Sequence, residues 1–360
     1  ADSFYSSAFP HEEEHLTQRF ISLLAGLKKE QFSLESTLYL RRHTDKYILN
    51  RHDPSFYTNY HTSYVYGLKN EISLFNDLFL ELEAEREHID STNLSKRYRL
   101  KKRLGAGIRE KKWHNFFIEG QAGISDYEQW EYLEDGHFST GYFFQDNLKG
   151  SFSFDRIWRA PSFTELYYRS PSNRGNTSLK VQKSNNYEWG LDYFYNQALR
   201  CSLSYFRRNQ DNTIDWVKDI PPEAWQAENV GDIEVAGCDV YVQLDVQENI
   251  LNTLSLGYTY LDLQTANPYN FSKYVFDYNR HKIVGIIRLD ILGTTLNIVE
   301  NFSYPVNREG YTTFDLKIEK KFADFTLAVE GINLGDKYYQ ELQDISAPGR
   351  WIKASVAYSF

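Results

Sequence analysis

Apolar and polar residues alternate one by one along most of this chain, and the pattern continues to its last residues. In residues 314–319, Phe, Leu and Ile alternate with Asp, Lys and Glu, and the same period of two recurs in residues 187–193 and 199–205. Successive side chains of a β-strand point to opposite faces, so each run predicts a strand with one apolar and one polar face. A helix would need apolar residues three and four positions apart, and no stretch shows that spacing convincingly.

The connections between these runs alternate between short and long. Short polar turns are predicted near residues 29–30, 76–77, 110–111, 146–147, 196–197, 247–248, 293 and 323–324. Longer polar segments are predicted at residues 43–61, 86–97, 126–137, 159–186, 207–233, 262–280, 304–310 and 335–350. An outer-membrane barrel has tight turns at one end and longer loops at the other, whereas a soluble sandwich has no reason for this sorting. We therefore predict an all-β fold, a transmembrane antiparallel β-barrel.

The composition fits this prediction and excludes other classes. The 28 Tyr, 24 Phe and 7 Trp are a surplus that aromatic girdles at two membrane interfaces would use. The net charge of −9 argues against a nucleic-acid partner, because phosphate contact needs a basic surface. The only two cysteines, Cys201 and Cys238, fall at different heights of neighbouring strands, so we predict two free thiols.

The strand count is odd. We count about 17 strands, the first near residues 15–27 and the last at residues 351–360, whereas a bacterial single-chain barrel has an even number. We therefore expect the chain to begin within a barrel, with residues 1–14 as the tail of an outer loop. The last strand has an apolar face that resembles the C-terminal strand of outer-membrane proteins. That face consists of Ile352, Ala354, Val356, Tyr358 and Phe360.

Several motifs together resemble the TonB-dependent outer-membrane receptors. The segment from Trp158 to Tyr167 is similar to their aromatic-Arg-Ala-Pro segment followed by Glu-Leu and an aromatic residue, and residues 175–190 and 333–350 resemble further family segments. The chain departs from the family at Val181-Gln182-Lys183, where Pro-Glu is usual. The family-motif residues are Arg159, Ala160, Pro161, Glu165, Leu166, Asn176, Glu188, Gly190, Asn333, Tyr338, Gly349, Arg350 and Phe360.

The resemblance implies a barrel of about 22 strands filled by an N-terminal plug. Residues 1–360 would be the C-terminal portion of the barrel domain, with the plug and first strands missing or supplied by another chain. The implied partners are outer-membrane lipid, the plug and remaining strands, TonB with ExbB and ExbD through the plug, and a small nutrient complex. The implied function is energised import of cobalamin or a ferric siderophore, and these two substrates stay open. The alternative is a passive porin-like or structural barrel component.

No enzyme motif and no cofactor site is recognised, so we expect no enzymatic activity and no cofactor. Aromatic and arginine residues of the predicted outer loops are the candidates for ligand contact, because flat rings bind corrins, catecholates or porphyrins. The candidates are Trp130, Tyr132, Tyr167, Tyr168, Arg169, Trp216, Trp225, Tyr269 and Tyr274. For Arg159, Pro161 and Glu165 we expect a loop-anchoring role.

Two groups of charged residues remain. One predicted loop carries several carboxylates that could bind Ca²⁺, although their spacing fits no EF-hand; the candidates are Asp211, Asp215, Asp219 and Asp232. The second group lies on two neighbouring strands that have acidic and basic residues on one face. Such charges would be costly in lipid, so we predict that they line the interior and pair across the strands. They are Glu81, Glu83 and Glu85 on one strand and Arg99, Lys101, Arg103 and Arg109 on the next.

Overall fold

The computed structural model describes residues 11–75, 77–170, 172–220, 223–246, 250–265, 269–342 and 345–359. These residues form one sheet of 17 strands, one of four strands and one of two strands. The one helix in the described residues has five residues. No helix of the described part of the chain is long and apolar enough to cross a bilayer. The predicted all-β fold and its strand count are confirmed.

The elements follow one another with short gaps. The first strands are β1 (Glu13–Lys29), β2 (Phe32–Ile48), β3 (Thr58–Leu74), β4 (Leu78–Ser91), β5 (Ser95–Trp113), β6 (Phe116–Tyr127), β7 (Trp130–Gln145) and β8 (Leu148–Arg159). Then come α1 (Phe163–Tyr167), β9 (Asn173–Arg174), β10 (Gln182–Tyr195), β11 (Leu199–Asp211), β12 (Ile214–Lys218), β13 (Trp225–Asn229), β14 (Ile233–Asp245) and β15 (Leu251–Thr265). The last are β16 (Phe271–Ser272), β17 (Asn279–Ile291), β18 (Thr294–Pro305), β19 (Tyr311–Phe322), β20 (Phe325–Ile332), β21 (Gln340–Leu342), β22 (Ile345–Ser346) and β23 (Trp351–Tyr358).

Each long strand of the large sheet pairs antiparallel with the next one along the chain, from β1 to β23. Within the described residues, β1 and β23 each pair along one edge only. We call the end with tight turns, such as the one joining β1 to β2, the turn end. The opposite end carries the connections 160–181, 212–232 and 266–278, and we call it the loop end.

The two faces of the sheet differ as predicted. On β4, Leu78, Leu80 and Leu82 are exposed on one face, which we call the outer face, while Glu81 lies buried on the other, inner face. The first strand departs from this rule, because its inner face carries exposed Leu16, Phe20 and Leu24 as well. Apart from this strand, the alternation found in the sequence separates an apolar surface from a charged one.

The inner-face charges pair across the strands as predicted, except that Glu85 accepts a hydrogen bond from the Tyr39 hydroxyl at 2.5 Å and has no ion pair among the described residues. Arg99 contacts Glu87 at 2.7 Å, and Lys101 contacts Glu83 at 3.3 Å. Arg103 reaches Glu81 on one side and Asp135 at 2.6 Å on the other, and Arg109 pairs with Glu71.

Two glycines make room for the Arg103 side chain. Gly105 and Gly123 are directly opposite each other on β5 and β6. A Cβ atom would lie 2.8 Å from the guanidinium at Gly105 and 2.5 Å from it at Gly123. The missing side chains form a slot in which the guanidinium reaches its two carboxylates.

Some connections were predicted wrongly. The short turn expected at 110–111 lies at 114–115, because β5 continues to Trp113. The long segments expected at 86–97 and 126–137 are connections of a few residues, at 92–94 and 128–129. Polar residues there belong to strands that continue past the apolar part of the sheet, and a polar residue does not by itself end a strand. Asn76 and residues 247–248, assigned to predicted turns, lie outside the described residues.

The two thiols are free, as predicted. Cys201 lies opposite Val242 and Cys238 opposite Tyr205 on the neighbouring strand. This offset of four residues corresponds to about 13 Å along the strands, beyond the reach of a disulfide.

Substitution of Gly123 by alanine should destabilise the sheet. The new Cβ would displace the Arg103 guanidinium from Asp135, so we expect a loss of about 1–3 kcal/mol in the free energy of unfolding. Gly285→Ala is the matched control, because nothing lies near its position. Denaturant unfolding in detergent measures both variants, and equal stabilities would contradict the role of the slot.

Candidate functional site

Three connections at the loop end fold together into a second, small sheet. In this sheet β12 pairs with β13 and β16, and β9 joins β13 in parallel. An apolar core holds it together, formed by Leu166, Leu179, Ile214 and Ala227. We call this assembly of residues 160–181, 212–232 and 269–278 the loop platform. Connections that are distant in sequence thereby become one unit.

The helix α1 starts within the family motif and is capped by the motif's own residues. Ser162 accepts a hydrogen bond from the Glu165 backbone N–H at 3.1 Å, and the Glu165 carboxylate accepts one from the Ser162 N–H at 2.7 Å. This reciprocal pair is a capping box. Arg159 adds an ion pair to the same carboxylate at 2.9 Å. Its second contact is Gln182, at 3.3 Å, one of the residues where the chain departs from the family pattern.

Arg99 attaches the motif to the inner face of the large sheet. Its guanidinium donates to the Pro161 carbonyl at 2.7 Å and to the Glu87 carboxylate at 2.7 and 2.9 Å. The Phe163 ring lies 4.6 Å from the guanidinium carbon, and Arg99 is only 7% exposed. Pro161 precedes the N-cap residue Ser162, so its carbonyl lies outside the hydrogen bonds of the helix, and Arg99 supplies its donor. These contacts are what a loop-anchoring role requires; that role for Arg159, Pro161 and Glu165 stays a prediction.

A polar cluster fixes the end of the motif. The Tyr168 hydroxyl lies 3.3 Å from the Tyr57 hydroxyl and accepts from the Asn59 amide at 3.1 Å. Asn93 bonds both the N–H and the carbonyl of Arg169. Burial beside Tyr57 raises the pKa of the Tyr168 hydroxyl above its usual range. Three connections of the loop end are therefore joined by side chains alone.

Replacement of Arg99 by methionine should release residues 160–181 from the sheet. Glu87 would keep the Tyr127 hydroxyl as a donor at 2.7 Å but lose its cation, so we expect a loss of about 1–3 kcal/mol in the free energy of unfolding. Limited proteolysis should cut this connection first. Lys96→Met is the control, because its ion pair with Asp90 is exposed and worth at most about 1 kcal/mol. Protection equal to that of the unchanged protein would contradict the anchor.

Asp215 is a buried acceptor for the backbone of the platform, and its role as a calcium ligand stays a prediction. It is 1% exposed, and its carboxylate accepts from the backbone N–H groups of Trp216 at 2.7 Å, Val275 at 3.0 Å and Tyr274 at 3.3 Å, and from the Ser272 hydroxyl. These bonds occupy its oxygens. No group of three or more possible metal ligands occurs in the described part of the chain.

The other calcium candidates are not brought together either. Asp232 accepts a bond from the Asn212 N–H at 3.4 Å, and the Asp219 backbone carbonyl accepts from Asn270. Asp211 is exposed at the end of β11. Asp211 and Asp232 lie near each other at the base of the β12–β13 hairpin, while Asp219 lies beyond the far end of β12, so the four carboxylates do not form one group.

Asp215→Asn should loosen the platform without changing any metal response. An amide has one acceptor oxygen, so at least one backbone N–H bond is lost and residues 269–278 should exchange their amide hydrogens faster. Hydrogen-exchange mass spectrometry tests this, with the exposed Asp219→Asn as the control. Protection of the unchanged protein by Ca²⁺ would restore the metal-site hypothesis.

Trp225 lies close to two lysine side chains on the platform. The Lys218 ammonium is 4.4 Å and the Lys273 ammonium 5.2 Å from the centre of its ring. Lys273 also donates to the Asn173 side chain at 3.0 Å. Burial lowers the pKa of the Lys273 ammonium below its usual value. An aromatic ring with two cations close to it suits a ligand that has ring systems and negative groups.

The remaining candidates for ligand contact divide by location. Trp130, Tyr167 and Trp216 pack against the platform core, and Tyr269 packs against a second apolar cluster. Tyr274, 58% exposed, and Arg169 have open surface. Trp130 and Tyr132 were assigned to a loop, but both lie in β7. Tyr132 is 70% exposed beside outer-face residues, so it does not fit a ligand held on the inner side.

The other motif residues shape backbone turns. Gly175 is required because a Cβ there would lie 2.8 Å from the backbone of Leu166. Asn176 donates to Glu228 at 3.0 Å. Asn333 is fully buried, adopts φ +49°, and bonds the backbone of Lys337 in both directions at 2.9 Å.

Further along, Asp336 accepts from the Arg350 N–H at 2.8 Å, and a Cβ at Gly349 would meet the same carboxylate. Tyr338 is exposed and bonds Ser346. Glu188 and Gly190 lie within β10, and Phe360 lies outside the described residues.

The TonB dependent receptor-like, beta-barrel family matches residues 8–334 of the chain. This chain belongs to that family. Vitamin B12 transporter BtuB of Photobacterium profundum is 26% identical over 259 residues, which are 68% of this chain and 40% of that protein. BtuB of Vibrio vulnificus is 30% identical over 83 residues, covering 23% of this chain and 13% of that protein.

Solved receptors share the fold at low sequence identity. The siderophore receptor PirA from Pseudomonas aeruginosa has a TM-score of 0.77 and 13% identity over 97% of this chain and 65% of its own. The copper transporter OprC has a TM-score of 0.77 and 13% identity over 98% of this chain and 67% of its own. The relatives of this TonB-dependent receptor barrel are named transporters and receptors. The chain spans 40% of the Photobacterium BtuB that it matches.

Sequence reasoning missed several residues of the site. Lys218 and Lys273 are far apart in sequence, and only the small sheet brings them to one indole. Asp215 did carry a signal, because it interrupts the apolar run of Ile214, Trp216 and Val217. An acidic residue in such a run indicates a buried carboxylate with several donors. Asn93 and Asn59 carried no comparable signal.

Proposed function

We propose that the protein containing this chain is an outer-membrane receptor that imports a scarce nutrient complex, cobalamin or a ferric siderophore, with energy supplied through TonB. The outer face of the sheet would lie in lipid and the inner face would line the lumen. ExbB and ExbD would act through TonB, and a plug would couple to it. The family assignment supports this function over a passive porin-like barrel.

The observation that carries the proposal is the division of the sheet into an exposed apolar face and a face of paired charges. An exposed apolar surface that extends over many strands is unfavourable in water, whereas lipid would cover the leucines of the outer face. Paired charges on the inner face suit a wet lumen, because they would be costly in lipid. The loop platform, above that lumen, would meet the nutrient first.

Within the platform we propose that Trp225, Lys218, Lys273 and the exposed Tyr274 contact the nutrient. The two ammonium groups favour a ligand with negative groups, and the rings favour a flat ligand. Arg169 adds a third cation at the edge. Tyr167, Tyr168 and Trp216 would act indirectly, by holding the platform in shape.

Uptake of labelled cobalamin and of ferric siderophores by cells that depend on the intact receptor tests the function. We expect accumulation of one of them that is lost when TonB is absent. Trp225→Ala should weaken ligand binding about tenfold or more in calorimetric titration, as removal of a central aromatic anchor does. Trp113→Ala is the control, because that residue is 74% exposed at the turn end.

Accumulation that continues without TonB would support the passive barrel instead. Equal binding by Trp225→Ala and the unchanged receptor would remove the platform from the ligand site but leave the transport function standing.

A further inference from the structure

The outer face of β18 carries an acidic residue, Glu300, in the middle of its apolar surface. The strand runs from Thr294 at the turn end to Pro305 at the loop end. Glu300 is exposed, and its neighbours along the strand on the same face are Ile298 and Phe302. A carboxylate therefore lies at a level where neighbouring strands have apolar side chains.

The pairing of the strands places Glu300 on the outer face. It lies directly opposite Gly285 on β17 and Phe314 on β19. Residues that are directly opposite each other in a sheet point to the same side, and Phe314 is exposed there. Asp315, the next residue of β19, points to the inner face. The Glu300 carboxylate thus belongs to the surface that lipid would cover.

Glu300 has no cation beside it, unlike acidic residues near the loop end of the same face. Within the described ranges it forms no ion pair and no side-chain hydrogen bond. By contrast, Glu134 contacts Arg156 at 3.6 Å, and Glu234 contacts Arg207 at 2.6 Å. The described part of the chain therefore compensates outer-face charge near the loop end and leaves the charge of Glu300 without compensation.

The carboxylate is also far from both ends of the sheet. At the rise of a β-strand, Tyr304 lies about 13 Å further toward the loop end and Thr294 about 20 Å toward the turn end. A glutamate side chain is too short to carry its charge to either level, as a long lysine or arginine side chain can. Ionisable residues at such depth cost free energy and usually mark a functional contact.

A notch lies beside the carboxylate, and we call it the Gly285 notch. Gly285 has no side chain, and a Cβ atom placed there would meet nothing within 4 Å. Leu256 lies opposite on β15, and Ile283 and Ile287 lie on either side along β17. Small residues on a lipid-facing surface allow a second membrane-embedded segment to approach closely. The notch has apolar walls and a carboxylate at one side.

We propose that Glu300 and the Gly285 notch bind a membrane-spanning segment of a partner protein that presents a lysine or arginine at this depth. The apolar stem of that side chain would pack in the notch, and its charged head would pair with the carboxylate. Each charge would offset the cost of the other in lipid, so the pair would also fix the height of the partner. The inference rests on the membrane location in the proposed function.

A lipid is a poorer occupant of this site than a protein. Charged and amine head groups lie at the two surfaces of a bilayer, near the levels of Tyr304 and Thr294, whereas Glu300 lies among acyl chains. A protein segment can hold a basic side chain at that depth, because the rest of the segment fixes its position.

The test uses the intact receptor in phosphatidylcholine vesicles and a synthetic transmembrane helix of leucine and alanine with one central lysine. The matched peptide has leucine at that position. Energy transfer from receptor tryptophans to a dye on the peptide measures association. We expect the receptor to bind the lysine peptide about tenfold more tightly than the leucine peptide, as one polar contact between membrane-embedded segments would produce.

Glu300→Gln should lose most of this preference, and Gly285→Leu should weaken binding of the lysine peptide by filling the notch. Glu319→Gln is the matched control and should keep the preference. Its carboxylate lies on the inner face of the neighbouring strand and is paired with Lys317 at 2.8 Å.

Denaturant unfolding without peptide separates a binding role from a structural one. Glu300→Leu should be more stable than the unchanged receptor, because a charge is removed from the lipid face. The lysine peptide should stabilise the unchanged receptor and the control but not Glu300→Leu. Lower stability of Glu300→Leu, equal binding of the two peptides, or equal preference in Glu300→Gln and Glu319→Gln would overturn the proposal. Nutrient uptake by the unchanged receptor, measured in parallel, reports on the proposed function separately.

Discussion

The guanidinium of Arg99 is the contact on which the arrangement of the loop end depends. It joins a carboxylate on β4, a carbonyl at the start of α1 and an aromatic ring of the same helix. A cation buried in this way is stable only with all of its partners, so its position and that of the connection 160–181 determine each other. Leu166 then enters the platform core, and residues from two other connections pack on it. Arg99 on the inner face of the sheet thus holds the connection 160–181, and this connection in turn holds the platform core.

Pairing of charged side chains also distinguishes the two surfaces of the sheet. Inner-face arginines and lysines meet carboxylates on the next strand, and the Gly105 and Gly123 slot allows Arg103 to meet two of them. Outer-face positions instead hold leucine, isoleucine, phenylalanine and tyrosine. A one-residue slip of any strand would exchange these sets, so the charges help to fix the register of strands that lipid alone would hold only weakly.

Alternation in the sequence was sufficient to predict the strands, because it reports which face each residue occupies. It could not predict where a strand ends when polar residues continue the same pattern. The strands β4 and β6 therefore extend into the predicted loops, over residues 86–91 and 126–127. The family motif marked residues 158–167, but it did not predict that they include a helix. It did not identify Arg99, which is separated from Pro161 by 62 positions and meets it only through the fold.

The candidate site was harder still to predict, for a physical reason. Aromatic residues in loops were identified by type, yet the same ring can pack in a core or meet a ligand. Trp216 packs against the core and Tyr274 is exposed, although each follows a charged residue and precedes a valine. Asp215 was assigned to an ion by its charge, whereas its burial makes it an acceptor for backbone groups. Burial decides between these roles, and burial depends on contacts between distant connections.

The contrast between the two sides of the loop end has a mechanical consequence. Around the connections at 92–94 and 128–129 the wall is continuous β-ladder, with backbone bonds along its whole height. The platform instead rests on a small number of side chains, chiefly Arg99, Asn93 and Asp215. Thermal fluctuations should concentrate where few bonds must break together. The opening of such a barrel would then be stiff on the side of the short connections and compliant on the side of the platform. It would widen toward the platform.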